Sequence, residues 1–142
     1  MRIITLILFL LLAATTSSGQ VRADERPENF DTFFARFTQD AAFAVSRTQF
    51  PLQCWLWQYG MDGKGNDESA PEISVISRAQ FVQSPSLAHF MTQNGLRKVR
   101  QSMVTDNAVV DIGKEGTGWL VSYHFKLQHG CWFLWRYEDK ST

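Results

Sequence analysis

Two side chains near the end of the chain, His124 and Arg136, have the chemistry of an anion site. They fall on the two arms of a predicted hairpin, where they would face each other with Ser122 beside them. A protonated imidazole and a guanidinium both donate hydrogen bonds to carboxylates and phosphates. The alternative is that these residues form the half-exposed polar face of a sheet, which needs no ligand.

Two tyrosines are the candidates for polar groups inside the fold. Tyr59 and Tyr123 lie in aromatic-rich segments, and their hydroxyls could project into an internal pocket. A catalytic pocket would also need a titratable partner beside the phenol. The sequence assigns no acid to either tyrosine, and the short pair Asp106 and Asp111 is weak evidence for an acid or a metal ligand. We therefore predict no catalytic residue, and a ligand-binding set of Tyr59, Tyr123, His124, Trp135 and Arg136.

The sequence contains no recognisable motif for binding a metal or a cofactor. The three histidines and two cysteines lack the spacing of zinc ligands. The glycines around Lys114 do not make a phosphate loop, because the GxxxxGK[ST] pattern is missing. We predict neither a metal nor a cofactor.

The two cysteines, Cys54 and Cys131, leave two interpretations open. If the chain is exported, a disulfide between them is chemically permissible and would stabilise the fold by about 4 kcal/mol. The alternative is a pair of buried thiols that behave as small apolar side chains. Their spacing excludes a CxxC redox pair.

A closing hairpin would position the candidate anion site. Residues 119–127 alternate apolar and polar side chains, which is typical of a half-buried strand. A two-residue loop at His129–Gly130 would place polar Lys126 opposite Phe133. A three-residue loop starting at Gln128 would gather the apolar residues on one face, so we predict that loop. The predicted pairs are Leu127–Cys131, Phe125–Phe133, Tyr123–Trp135 and Val121–Tyr137.

The elements before the hairpin begin with a helix. Phenylalanines recur at helical spacing from Phe30 to Phe37, and Asn29 or Asp31 can cap the start. A strand is predicted from Cys54 to Tyr59, and a short helix beginning near Ser84–Pro85. Further strands are predicted at residues 73–77 and 108–112. The order of these elements predicts an α+β fold with the N-terminal helix packed on a curved antiparallel sheet.

The first residues have the pattern of a signal peptide. Arg2 precedes the apolar run Ile3–Ala14, which is shorter than the roughly 20 residues that span a membrane. Val21 and Ala23 fit the positions before a cleavage site. We predict a signal peptide at residues 1–23, a single domain at residues 24–142 with no membrane span after cleavage, and export to the bacterial periplasm.

Composition excludes several classes of protein. The chain has 142 residues, which is enough for about one domain. It carries 14 basic and 14 acidic residues, so it lacks the basic excess that binds nucleic acid. Aromatic residues make up 13%, which can fill a core from few positions.

Two segments resemble a known family. The residues from Phe33 to Leu52, and the closing Tyr123–Leu127 with Gly130, Trp132, Asp139 and Ser141, are similar to the signatures of an uncharacterised bacterial envelope family, domain of unknown function 4348. The resemblance implies a cone-like fold of the nuclear transport factor 2 type, with a bent sheet around a pocket. It implies no catalytic residue.

Three functions follow as hypotheses. The first is a non-catalytic exported module that binds a small molecule or a protein through an aromatic-lined cone. The second is an envelope immunity or inhibitor protein that binds a toxin or an enzyme. The third is a small isomerase or dehydratase, which would require a titratable pair inside the pocket.

Overall fold

The computed structural model describes residues 26–57 and 70–142. Two predictions fall outside these residues, namely the signal peptide at residues 1–23 and the placement of Tyr59. Within the described ranges, no helix is both long and apolar enough to cross a membrane.

Four short helices precede or interrupt the strands. Asn29, one of the two caps that the sequence allowed, caps the first helix by accepting from the Thr32 backbone N–H. Asp40 ends that helix and caps the next, because its side chain accepts from the Phe43 backbone N–H at 2.9 Å. Gly95 ends the last helix in a left-handed conformation. The helices are α1 (Phe30–Gln39), α2 (Ala41–Ser46), α3 (Arg78–Val82) and α4 (Leu87–Asn94).

Six strands form one sheet in the order β2-β1-β6-β5-β4-β3. All neighbouring strands are antiparallel except β1 and β6, which are parallel. The α+β fold with helices on a curved sheet is therefore as predicted, but the sheet is mixed. The strands are β1 (Thr48–Leu56), β2 (Glu72–Ile76), β3 (Arg97–Val104), β4 (Asn107–Gly113), β5 (Leu120–Gln128) and β6 (Cys131–Asp139).

The core is built around one ring, Phe125, which is fully buried at the middle of β5. Four phenylalanines of α1 surround this ring with centroid distances between 5.2 and 5.8 Å. The helical spacing of these residues places them on one face of α1, which is why the helix packs on this face of the sheet. We call that face the inner face and the opposite one the outer face. The four are Phe30, Phe33, Phe34 and Phe37.

The predicted three-residue hairpin loop is wrong. The loop is the two-residue turn His129–Gly130, whose φ angles of 50° and 77° are those of a type I′ turn. Gln128 therefore faces Cys131, and Phe125 faces Leu134. A β-bulge at Trp135 then restores the apolar pairing, so that Tyr123 faces Tyr137. The three-residue loop was chosen on the assumption that β5 and β6 pair without a bulge. Because the strands do contain a bulge, a two-residue loop also places the apolar residues near Tyr123 on one face.

The two cysteines are free thiols and are not joined. Cys54 faces Tyr137 across the parallel pair β1 and β6, while Cys131 begins β6. At about 3.3 Å per residue, that stretch of β6 separates the two positions by about 20 Å. A disulfide needs Cα atoms about 4–7 Å apart, so this fold does not form the bond that the sequence left open.

Candidate functional site

A cavity of about 410 Å³ lies between the helices and the inner face of the sheet. Its walls come from α1, α2, α3 and α4 on one side and from β1, β2, β5 and β6 on the other. Most of the walls are aliphatic or aromatic, including Phe37, Leu52 and Phe81. Pockets of this size and character are the usual sites for small molecules.

The polar side chains that line this cavity are those of two serines, Ser84 and Ser86, and of two tyrosines, Tyr123 and Tyr137. The two tyrosines face each other on β5 and β6, and their rings meet edge to face at 5.3 Å. Burial raises the pKa of both phenols well above 10, and the negative charge of nearby Asp139 raises it further. Both hydroxyls are therefore neutral. A neutral phenol can both donate a hydrogen bond to a ligand and accept one from it.

A second, more open depression of about 530 Å³ shares two walls with the first, Phe90 and Tyr137. Asp139 also lines it, because Asp139 follows Tyr137 on the same face of β6. An acid therefore does lie beside Tyr123 and Tyr137, although the sequence had assigned none to the tyrosines it considered. The alternation along β6 was the signal for it, because the predicted register and the observed one both place residues 137 and 139 on the face that carries Tyr123.

The predicted His124–Arg136 pair exists, but it lies on the outer face. The two residues face each other across β5 and β6, and Arg136 Nη2 lies 3.1 Å from His124 Nδ1. A guanidinium has only donors, so Nδ1 accepts and the neutral ring carries its proton on Nε2. That Nε2 lies 3.2 Å from Glu138 Oε1.

Glu138 is the centre of this outer group. Its carboxylate is almost fully buried and is held by Arg136 at 3.0 Å and Lys140 at 3.1 Å. Burial raises the pKa of Glu138, but the Lys140 hydrogen bond and the surrounding positive charges outweigh burial and lower it below its ordinary value. Burial and the Arg136 charge lower the pKa of His124. His124 is therefore neutral at pH 7.

The Arg136 guanidinium packs on two indole rings. Its central carbon lies 4.4 Å from the ring centroid of Trp55 and 4.7 Å from that of Trp135. Such cation–π contacts stabilise by about 0.5–2 kcal/mol each. Farther along the same face, buried Ser122 donates to Asp111 at 2.7 Å, and Asp111 accepts from Arg100.

The structure divides the predicted ligand-binding residues between two places. Tyr123 lies in the inner cavity, while His124, Trp135 and Arg136 lie together on the outer face. No group of three His, Cys, Asp or Glu side chains in residues 26–57 and 70–142 could hold a metal ion. Sequence reasoning missed Tyr137 as the partner of Tyr123, and it missed Asp139 and Glu138.

Comparison with known proteins identifies the fold of the chain but no family. No family model matches the chain, and no curated protein matches it. The chain is similar to a solved nuclear transport factor 2-like protein from Bacteroides fragilis, with a TM-score of 0.58 and 20% identity, over 84% of this chain and 50% of that one. It thus spans about half the length of that protein.

Other solved structures are more distant. A nuclear transport factor 2-like protein of unknown function from Silicibacter pomeroyi has 14% identity and a TM-score of 0.40, over 80% of this chain and 89% of that one. A de novo designed protein with a curved β-sheet has 9% identity and a TM-score of 0.47, over 78% and 91%. The Bacteroides fragilis structure and the architecture described above establish a nuclear transport factor 2-like fold.

Proposed function

We propose that the protein is a small exported, non-catalytic binding module whose inner cavity takes one compact apolar molecule that carries a hydrogen-bonding group. The observation that supports this is the cavity of about 410 Å³, with apolar walls and two neutral phenols. Export to the periplasm and membership of the domain of unknown function 4348 family are parts of the same proposal, and they depend on residues 1–23 and on the resemblance in sequence.

The walls favour an uncharged ligand. An ion would have to leave water for a space bounded by Phe37, Leu52 and Phe81, with no charged side chain among the cavity walls to receive it. An apolar body would gain about 25 cal/mol for each Å² it buries. The open interior also favours a small molecule over the envelope immunity or inhibitor protein, because that function would need only a filled core and an exposed patch.

The test is a titration with 1-aminoanthracene, an uncharged fluorophore with one amino group. We expect a saturable rise in fluorescence on addition of the purified full-length protein. Replacing Ala41, which lines the cavity, with tryptophan should weaken binding at least tenfold by filling the space. Ala42→Trp is the matched control, because Ala42 is the next residue of α2 and is exposed without lining the cavity.

Two further results bear on this site. Tyr123→Phe should weaken binding of the amine by several-fold, because it removes one hydroxyl and keeps the ring. Equal affinity in wild type and Ala41→Trp would place the fluorophore elsewhere and reject the cavity as its site. A signal that rises linearly without saturation would reject it too.

The second candidate is a small enzyme of the isomerase or dehydratase kind. The specific observation in its favour is Asp139, whose carboxylate lies near the phenols of Tyr123 and Tyr137. A carboxylate beside a neutral phenol can remove a proton next to a carbonyl group while the phenol stabilises the resulting oxyanion.

Deuterium exchange into β-tetralone, a small ketone with acidic α-protons, tests the enzyme hypothesis. A proton-transfer enzyme would accelerate exchange over buffer, and Asp139→Asn would remove about a hundredfold of that rate. Asp106→Asn is the control, because Asp106 lies in the exposed turn before β4. Exchange no faster than in buffer would leave the binding module as the proposed function.

A further inference from the structure

A second cluster of interacting side chains lies on the outer face of the sheet, away from the cavity. We define this outer-face cluster as Trp55, His124, Trp135, Arg136, Glu138 and Lys140. We propose that the outer-face cluster binds a single carboxylate group, held by Arg136 Nε–H and by the indole N–H groups of Trp55 and Trp135. The carboxylate belongs either to a small organic acid or to a side chain of an acidic peptide.

The first supporting observation is a concentration of donors that lack acceptors. In the described part of the chain, five buried side-chain nitrogens have no hydrogen-bond partner, and four of them belong to this cluster. Folded proteins leave few buried polar atoms unpaired, and each one costs about 1–3 kcal/mol. Three of the four are obligate donors, so the missing group is an acceptor. The four are Trp55 Nε1, His124 Nε2, Trp135 Nε1 and Arg136 Nε.

The second observation is the charge of the cluster. Arg136 and Lys140 supply two positive charges, and Glu138 supplies one negative charge. His124 adds none at pH 7, because burial and the adjacent guanidinium lower its pKa. The neighbouring Asp111 is paired with Arg100 and does not change this balance. One monoanion would therefore neutralise the cluster, whereas a dianion would leave it negative.

The third observation is that the Arg136 guanidinium is held by its neighbours, while its Nε–H donor has no acceptor. Glu138 and His124 both engage Nη2, and the guanidinium carbon also packs on the two indole rings. The Arg136 side chain is 19% exposed and the Lys140 side chain 26% exposed, so solvent reaches the cluster at these two side chains. Trp135 occupies the extra position of the β-bulge, outside the ladder, next to Arg136 in the chain.

The test is an NMR titration of the ¹⁵N-labelled full-length protein with sodium acetate. We expect saturable shifts of the indole N–H signals of Trp55 and Trp135 and of the Arg136 Nε–H signal, with a dissociation constant in the millimolar range. The indole of Trp119, which lies on the wall of the second depression, should not move. Sodium chloride at the same ionic strength is the reference for screening.

Matched variants test the donors separately. Trp135→Phe keeps an aromatic ring and every ion pair, so it should fold and bind acetate at least threefold more weakly. Arg136→Lys keeps the charge but removes Nε, and it should abolish the saturable shifts. Lys126→Gln, an exposed cation of the same sheet face, should bind as the wild type does.

The outcomes are decisive in both directions. Equal shifts with acetate and chloride, or unchanged affinity in Trp135→Phe, would overturn the proposal. An acetylated tetraglutamate peptide that binds at least tenfold more tightly than acetate would identify an acidic peptide as the source of the carboxylate. Equal affinity per carboxylate would identify a small acid. None of these results depends on the inner cavity.

Discussion

At the scale of single residues, the outer face of the sheet contains buried carboxylates, although no described helix packs on that face. Glu138 is about 5% exposed and Asp111 about 3%, yet both carboxylates are paired. Glu138 is held by Arg136 of its own strand and by Lys140 just after it, and Asp111 is held by Arg100 of β3. Removing one partner from such a group costs more than the interaction contributes, because the other charge stays buried. The charge state of Glu138 therefore affects stability.

We expect acid to destabilise the protein in two steps. The pKa of folded His124 lies below its ordinary value of 6.5, so the unfolded chain binds the proton more tightly and stability falls as the pH drops below about 6.5. The pKa of Glu138 lies below 4.5, so its contribution is present above that value and is lost as the pH falls further.

Urea midpoints at pH 7.5 and pH 5.5 measure the first step. His124→Asn should abolish most of the difference between the two values, because no imidazole remains to be protonated beside Arg136. His89→Asn, at an exposed position of α4, should leave the difference unchanged. A His124→Asn protein that loses as much stability as the wild type would contradict this assignment.

At the scale of elements, the hairpin shows how far the sequence could be interpreted. Alternation identified both strands, and helical spacing identified α1 with its Asn29 cap, because each pattern is local. The register was not predictable in this way, because it depends on the bulge at Trp135 and on a histidine with positive φ. The short helix α3 was missed, and so was the parallel pairing of β1 with β6, which joins distant parts of the chain.

The turn itself gives a prediction. His129 has a φ of 50°, a conformation that costs a residue other than glycine or asparagine about 1 kcal/mol. His129→Asn should therefore raise the free energy of unfolding by a few tenths to about 1 kcal/mol, measured by urea denaturation. Gly130→Ala should lower it, because Gly130 has a φ of 77°. A destabilised His129→Asn protein would argue against this turn.

At the scale of the whole molecule, one aromatic layer joins the helices to the sheet. Phe125 contributes from β5, and the phenylalanines of α1 enclose its ring from the other layer. The cavity lies beside this layer, so the same packing that stabilises the fold also holds one wall of the site, Phe37, in position. The candidate site could not be located from the sequence, because its walls come from eight separate elements.

Replacing Phe125 with alanine should lower the free energy of unfolding by about 3–5 kcal/mol, because it leaves a void among four rings. Urea unfolding followed by circular dichroism measures the change. Phe133→Ala is a control on the neighbouring strand, where the side chain is only half-buried. A loss no greater than that of the control would show that the helices do not depend on this contact.

The bulge has one more consequence. Phe125 faces Leu134 and His124 faces Arg136, so strand β6 is one residue longer than its partner requires. A protein from which Trp135 is deleted could pair without interruption, keep Tyr137 and Asp139 inside, and keep Arg136 and Glu138 outside. The pairing of β6 with β5 thus does not require this position, and the surplus residue adds to the outer face an indole that packs on the Arg136 guanidinium.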